Sequence, residues 1–122
     1  MQNDISLLQA VMEDYFLGTF AADKTRLLQA FHPDCQITGN INGQSVVMNL
    51  IQFIERVTQA KQQSKSERRY DKKIVGMDWH QDIAWVKAKV LVDENYFTDY
   101  ITLLKIDGRW FIRQKSFTNA IV

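Results

Sequence analysis

The chain is short of the residues that several common chemistries require. One cysteine in 122 residues, Cys35, excludes an internal disulfide and suits a reducing cytoplasm. That cysteine and only two histidines, His32 and His80, lie too far apart for metal-ligand spacing, so no metal is expected. There is no Gly-x-Ser-x-Gly nucleophile elbow and no phosphate-cradling glycine loop. A formal net charge of +1 offers no electrostatic footprint for nucleic acid. No apolar run approaches the ~20 residues that span a bilayer, and the start MQNDISLLQAV lacks the basic end and apolar block of a signal peptide. Internal repeats, low-complexity tracts and linkers are also missing. The expectation is a soluble cytoplasmic protein whose 122 residues make one domain, with no nucleic-acid or membrane partner.

What is present is an ordinary core-forming composition, 46% hydrophobic and 24% charged, which excludes disorder. Its clearest local signal is FTDYITLLKIDGRWFIRQKSFT, from Phe97 to Thr118. Two apolar-rich alternating runs meet at Asp107-Gly108, a pair tolerant of positive φ and therefore suited to a tight hairpin turn. A two-residue turn pairs Ile106 with Arg109 and sets Leu103 opposite Ile112. One face then carries Phe97, Asp99, Ile101 and Leu103 with Trp110, Ile112, Gln114 and Ser116. The other carries Tyr100, Thr102, Phe111, Arg113, Lys115 and Phe117. A three-residue turn changes this register and puts Ser116 opposite Tyr100 instead.

Taken in order, Asn3 or Asp4 caps a first helix with Ile5, Leu8, Val11, Met12, Tyr15 and Phe16 on one face, and Gly18 reads as its stop. Asp23 caps a short second helix carrying Leu27, Leu28 and Phe31. Pro33 ends it, which leaves His32 at the helix boundary. Cys35–Gly39 and Gln44–Val47 read as short strands around a turn at Asn40–Gly43. Asn49 and Gln52 have capping-box spacing before a third helix with a stripe of Leu50, Ile51, Phe53, Ile54 and Val57. That helix gives way to a polar loop at Lys61-Gln62-Gln63-Ser64-Lys65-Ser66. Strands follow over Arg68–Trp79, where Gly76 marks a bend, and over Ile83–Val92, before the hairpin. The fold class is α+β: a cone-like curved antiparallel sheet packed against three N-terminal helices. Such a cone leaves a cavity of the kind that takes small ligands.

Three stretches carry a family resemblance: Phe31-His32-Pro33-Asp34, Tyr70-Asp71-Lys72-Lys73-Ile74-Val75, and Phe97-Thr98-Asp99-Tyr100 running into Leu103 to Trp110. With the element order, they make nearly the whole chain resemble the nuclear transport factor 2-like superfamily, in its putative lumazine-binding branch. The resemblance implies one such domain over the chain and a small hydrophobic or heterocyclic ligand, such as a pteridine. It implies no cofactor. SnoaL-like cyclases, ketosteroid isomerase and scytalone dehydratase in the wider superfamily place an acid or histidine base in the cone with tyrosine donors nearby. The superfamily's dimers through the outer sheet face would here use Tyr100, Phe111 and Phe117.

The enzyme reading is proton transfer at a carbon acid, or a related dehydration. Asp99 serves as base, or His32 if its helix points it inward. Gln114 and Ser116 flank the base, Tyr15 or Tyr70 donates to the developing oxyanion, and Trp110 is a candidate to stack on a flat ligand. A plainer role for Asp99 is a strand-end acid paired with Arg113, Lys115 or Lys89. The reading taken is a small-molecule-binding cone domain with catalysis unassigned, and the enzyme and an interaction domain acting through its sheet face are its alternatives. One or two buried acids or histidines facing each other favour the enzyme, whereas apolar walls with scattered hydroxyls favour the binder.

Overall fold

The computed structural model describes residues 3–64 and 67–119. Helix α1 runs Asp4–Ala21, and the Asn3 side chain accepts the Ser6 amide at 2.9 Å. It passes through Gly18 and stops at Ala22, which takes the left-handed conformation at φ 53°. Gly18 is therefore a packing residue rather than the expected stop: a Cβ there would stand 2.8 Å from Leu27 Cδ2. Helix α2, Lys24–Ala30, is capped by Asp23 and ends before Phe31. The chain then becomes extended, so Pro33 lies inside strand β1, Phe31–Ile41, and His32 is a strand residue rather than a helix end.

A turn at Asn42 and Gly43, with φ of 52° and 82°, leads into β2, Gln44–Met48. Helix α3, Leu50–Gln63, opens with the expected reciprocal capping box of Asn49 and Gln52. It continues through Lys61-Gln62-Gln63, where a loop was expected, while Lys65 and Ser66 lie outside the described residues. Leu50, Phe53 and Ile54 are its buried positions, and Ile51 faces solvent. The remaining strands are β3 Lys72–His80, β4 Ile83–Val92, β5 Asn95–Ile106 and β6 Arg109–Asn119. Asp107 and Gly108 turn the last hairpin at φ 52° and 78°, with Ile106 opposite Arg109 as the two-residue turn requires.

The six strands form one sheet in the order β2-β1-β6-β5-β4-β3. It is mixed rather than antiparallel, because β1 runs parallel to β6. Three irregularities bend it. The β3–β4 pairing skips Val75, the β1–β6 pairing jumps between Phe31 and Gln36, and β6 carries an extra residue opposite the Thr102/Leu103 step. Pro33 explains the second, since proline has no amide for a ladder. The third lies beside it: Leu103 faces Ile112, the next pair is Thr102 with Gln114, and Arg113 is left between them. Arg113 Nη1 donates to the Asp34 carbonyl in the irregular part of β1, tying the two bulges together.

One extra residue reverses every later side chain. Past Arg113, Lys115 and Phe117 turn toward the helices and are buried, while Gln114 and Ser116 turn outward. This corrects three expectations. Gln114 and Ser116 do not flank Asp99, and Phe117 belongs to the core rather than to the outer sheet face. Ser116 does lie opposite Tyr100, through a bulge and not through a longer turn.

Candidate functional site

The site is built where α1 crosses the far end of β5 and β6. Met12, Tyr15 and Phe16 lie on the buried face of α1, and Tyr15 is clamped edge-on against Phe31, ring centroids 5.6 Å apart. From that position its phenol donates to Asp99 Oδ2 at 2.5 Å, a contact between residues 84 apart in the chain. Asp99 is 1% exposed and sits on β5 between inward-facing Phe97 and Ile101. Among the described residues its Oδ1 accepts no hydrogen bond, and Asp99 lines the adjoining pocket. Burial, joined by the nearby Asp99 charge, holds the Tyr15 phenol well above its ordinary pKa of 10.0. Tyr15 is thus a fixed donor across the neutral range.

The bulge in β6 brings a second ionisable group to the same place. Lys115 is 5% exposed, with Nζ 4.3 Å from the Phe53 ring centroid, 4.7 Å from Phe117 and 5.1 Å from Tyr15. Three ring faces offset part of the cost of burying the ammonium. Among the described residues it has neither an ion pair nor a hydrogen bond. Desolvation lowers its pKa, and the Asp99 charge opposes that shift. A third group, Lys72 at the start of β3, donates through Nζ to Thr19 Oγ1 at 3.0 Å. Thr19 in turn donates to the Tyr15 carbonyl at 2.9 Å. Burial, then the neighbouring Arg68 and Lys115 charges, bring Lys72 down to about 8.

Tyr15, Thr19, Asp99 and Lys115 border a pocket of about 140 Å³, walled by Phe53, Val90, Phe97 and Phe117, with Lys72 behind Thr19. A volume near 150 Å³ suffices for a single benzene-sized ring, so the space suits a compact ligand. Arg56 and Arg68 also line it. Arg68 donates to the Phe20 carbonyl at 2.8 Å and lies 3.3 Å from Asp93 Oδ1 through Nε. That Nε is the one buried side-chain nitrogen or oxygen without a hydrogen-bond partner among the described residues.

Of the expected site residues, the structure brings Asp99 and Tyr15 together and leaves the others elsewhere. His32 lies on β1, its Nδ1 accepting the Asp34 amide at 3.0 Å and its ring edge-on to Phe111, away from the pocket. It cannot replace Asp99 as base there. Tyr70 is 47% exposed and packs edge-to-face on Phe20 outside the pocket. Trp110 is buried at the other end of the sheet, donating through Nε1 to Asp4 Oδ1 at 3.0 Å, and cannot stack on a ligand beside Asp99. Gln114 and Ser116 border a shallow hollow on the opposite face with Trp85 and Tyr100. Sequence reasoning missed Lys115, Lys72 and Thr19 as site residues. No group of three or more His, Cys, Asp or Glu side chains among the described residues is arranged to hold a metal ion. No described helix is long and apolar enough to cross a membrane.

A curved mixed sheet covered by three helices, with a pocket between, is the architecture of nuclear transport factor 2-like proteins. A protein of that class and unknown function from Silicibacter pomeroyi DSS-3 superposes with a TM-score of 0.86 at 22% identity, covering 95% of both chains. One from Shewanella baltica OS155 gives 0.77 at 18% identity over 100% of both. Within the class, the family described as "Putative lumazine-binding" matches residues 3–118, and the chain belongs to that family. Aldolase FrzH from a Cladobotryum species is 28% identical over 95 residues, which make up 75% of this chain and 72% of that protein.

Proposed function

We propose that this protein is an enzyme that moves a proton at the carbon next to a carbonyl in a compact small molecule, without a cofactor. The observation that carries the reading is the buried Asp99 side chain, which lines the pocket, is fixed by the Tyr15 phenol on one oxygen and accepts no hydrogen bond on the other among the described residues. A base must reach the proton it removes, and negative charge developing on the carbonyl oxygen must meet a donor already in place. Asp99 Oδ1 takes the proton. The Lys115 side chain meets the oxygen, while Tyr15 keeps its own proton and its bond to Asp99 Oδ2. The likeness to an aldolase supports this reading, because aldol chemistry passes through the same enol or enolate. Arg56 and Arg68 favour a substrate that also carries an anionic substituent. The buried free thiol of Cys35 suits a cytoplasmic setting.

The test is exchange of α-protons for deuterium in small aldehydes, ketones and 1,3-diketones, followed by NMR. The wild-type protein should exceed buffer and Asp99→Asn should return to it, a loss of at least about 100-fold, in the range of general acid–base contributions. The family description points instead to holding a flat heterocycle. A rise in melting temperature with a pteridine, with no exchange for any carbonyl compound, would make the protein a binder and not an enzyme. We also place a second copy of the chain on the outer sheet face, where Trp85 and Tyr100 are 46% and 57% exposed.

A further inference from the structure

We infer that Lys115 is a nucleophile, which joins a compact aldehyde or ketone through its Nζ as an imine. The proposal rests on the carbonyl chemistry proposed above and deepens it, turning an enolate route into an enamine route.

The geometry points this way on three counts. First, Nζ is enclosed by the rings of Tyr15, Phe53 and Phe117 and has no acceptor to hold it as an ammonium among the described residues. The ring faces favour the charged form, but burial without an acceptor opposes it more strongly, and only the neutral amine attacks a carbonyl. The lowered pKa agrees with that placement. Second, Nζ makes no hydrogen bond among the described residues, and Lys115 lines the pocket. A lysine that served only to balance Asp99 would pair with it, and no such ion pair forms within 4.0 Å. Third, Asp99 and Tyr15 border the same space, so an acid and a base stand beside any carbonyl carbon that Nζ can reach.

The step balances with these groups alone. The Nζ lone pair attacks the carbonyl carbon, forming the C–N bond while the C=O electron pair moves to oxygen. An amine proton moves to that oxygen, and the proton that Asp99 took from the Lys115 ammonium when the amine became neutral passes to the same oxygen. The C–O bond breaks, water leaves, a protonated imine remains and Asp99 is again a carboxylate. The imine formed is the electron sink for the next transfer. Asp99 removes the α-proton, the C–H pair becomes the C=C bond of an enamine, and the C=N pair returns to nitrogen. Hydrolysis restores the water and frees Lys115. No oxidant or reductant is involved.

The probe is pentane-2,4-dione, small enough for the pocket, which condenses with an accessible neutral amine to an enaminone that absorbs in the near ultraviolet. The wild-type protein should develop that band to one equivalent. Proteolytic mapping should then find the mass of the diketone less one water on the peptide holding Lys115. Lys115→Met should lose the band, and Lys24→Met, at an exposed position of α2, should keep it. The wild-type map decides the matter even where Lys115→Met does not fold. Adducts spread evenly over surface lysines, or none at all, would overturn the inference. Deuterium exchange measured on the same samples separates the two readings. Asp99-dependent exchange without the adduct leaves the enolate enzyme intact and removes the lysine from covalent chemistry, whereas absence of both removes the carbonyl reading as well.

Discussion

Lys72 is a buried base whose charge the fold tolerates poorly. Its partner is a neutral hydroxyl, Thr19 Oγ1, and its neighbours include two further cations, Arg68 and Lys115, against one carboxylate, Asp99. The pKa of about 8 in the folded chain lies below the ordinary 10.5. Below about 8 both states hold the proton, and the burial penalty is fully present. Between about 8 and 10.5 the unfolded chain binds a proton that the native one has released, so stability rises with pH. Lys115, also lowered, acts in the same direction. Cys35, raised to about 11 from 9.0, and Tyr15 act oppositely, because above their ordinary values the native state keeps protons that the unfolded chain gives up. The rise should therefore be visible between pH 8 and 9, at about 1 kcal/mol from Lys72 alone. Urea unfolding at both pH values reads it. Lys72→Met should be the more stable protein at pH 7 and should show a smaller rise, since a well-packed apolar chain of similar length carries no charge to desolvate. An equal rise in both proteins would mean that Lys72 is not the group responsible.

At the scale of elements, local chemistry was the most legible. The hairpin at Asp107-Gly108, the capping box at Asn49 and Gln52, and the bounds of Ile83–Val92 all follow from residues a few positions apart. What depended on distant partners was harder to read. Phe31 fits the apolar face of a helix, yet it extends as the first residue of β1 and packs against Tyr15 and Phe53. The Arg113 bulge decides which residues share the pocket, and it lies beside the Pro33 irregularity in a strand far away in the chain. The sequence of β6 carries no clear trace of it, because Trp110, Phe111 and Ile112 put large apolar residues on both parities ahead of Arg113. Gly18 is another element-scale case. Alanine there should gain about 1 kcal/mol in helix propensity. Its Cβ, however, would meet Leu27 Cδ2 at 2.8 Å and the Leu27 amide nitrogen at 3.3 Å, and Leu27 is fully buried. Overpacking of this kind costs about 1–3 kcal/mol. Gly18→Ala should therefore lower the urea midpoint with an unchanged m-value, a net loss of roughly 1 kcal/mol; a higher midpoint would show that α2 yields freely.

For the molecule as a whole, the sheet separates two surfaces. The inner one carries the pocket under the helices. The outer one leaves Val75, Trp85 and Tyr100 about half exposed, with the Trp85 indole lying against Gly76 and Lys87 Nζ set 5.4 Å from the Tyr100 ring centroid. Large exposed aromatics gathered on one face are a feature of association surfaces. Phe117, expected there by resemblance, has turned inward, so the proposed contact centres on Trp85 and Tyr100. Strand alternation also makes the two surfaces separable by mutation. Trp85 pairs with Thr102 on the outer side, whereas Ala84 and Val86 face the core. Trp85→Glu would place a carboxylate in the middle of the contact, which must be desolvated each time two copies meet. Sedimentation at micromolar concentration should give a dimer for the wild type and a monomer for Trp85→Glu. Deuterium exchange per chain should be unchanged, because Asp99, Tyr15 and Lys115 lie on the other side of the sheet. A wild-type monomer would remove the dimer and leave the pocket's chemistry untouched. A monomeric variant that also lost exchange would mean that the two faces are coupled, with the sheet's curvature, and therefore the pocket, depending on the second copy.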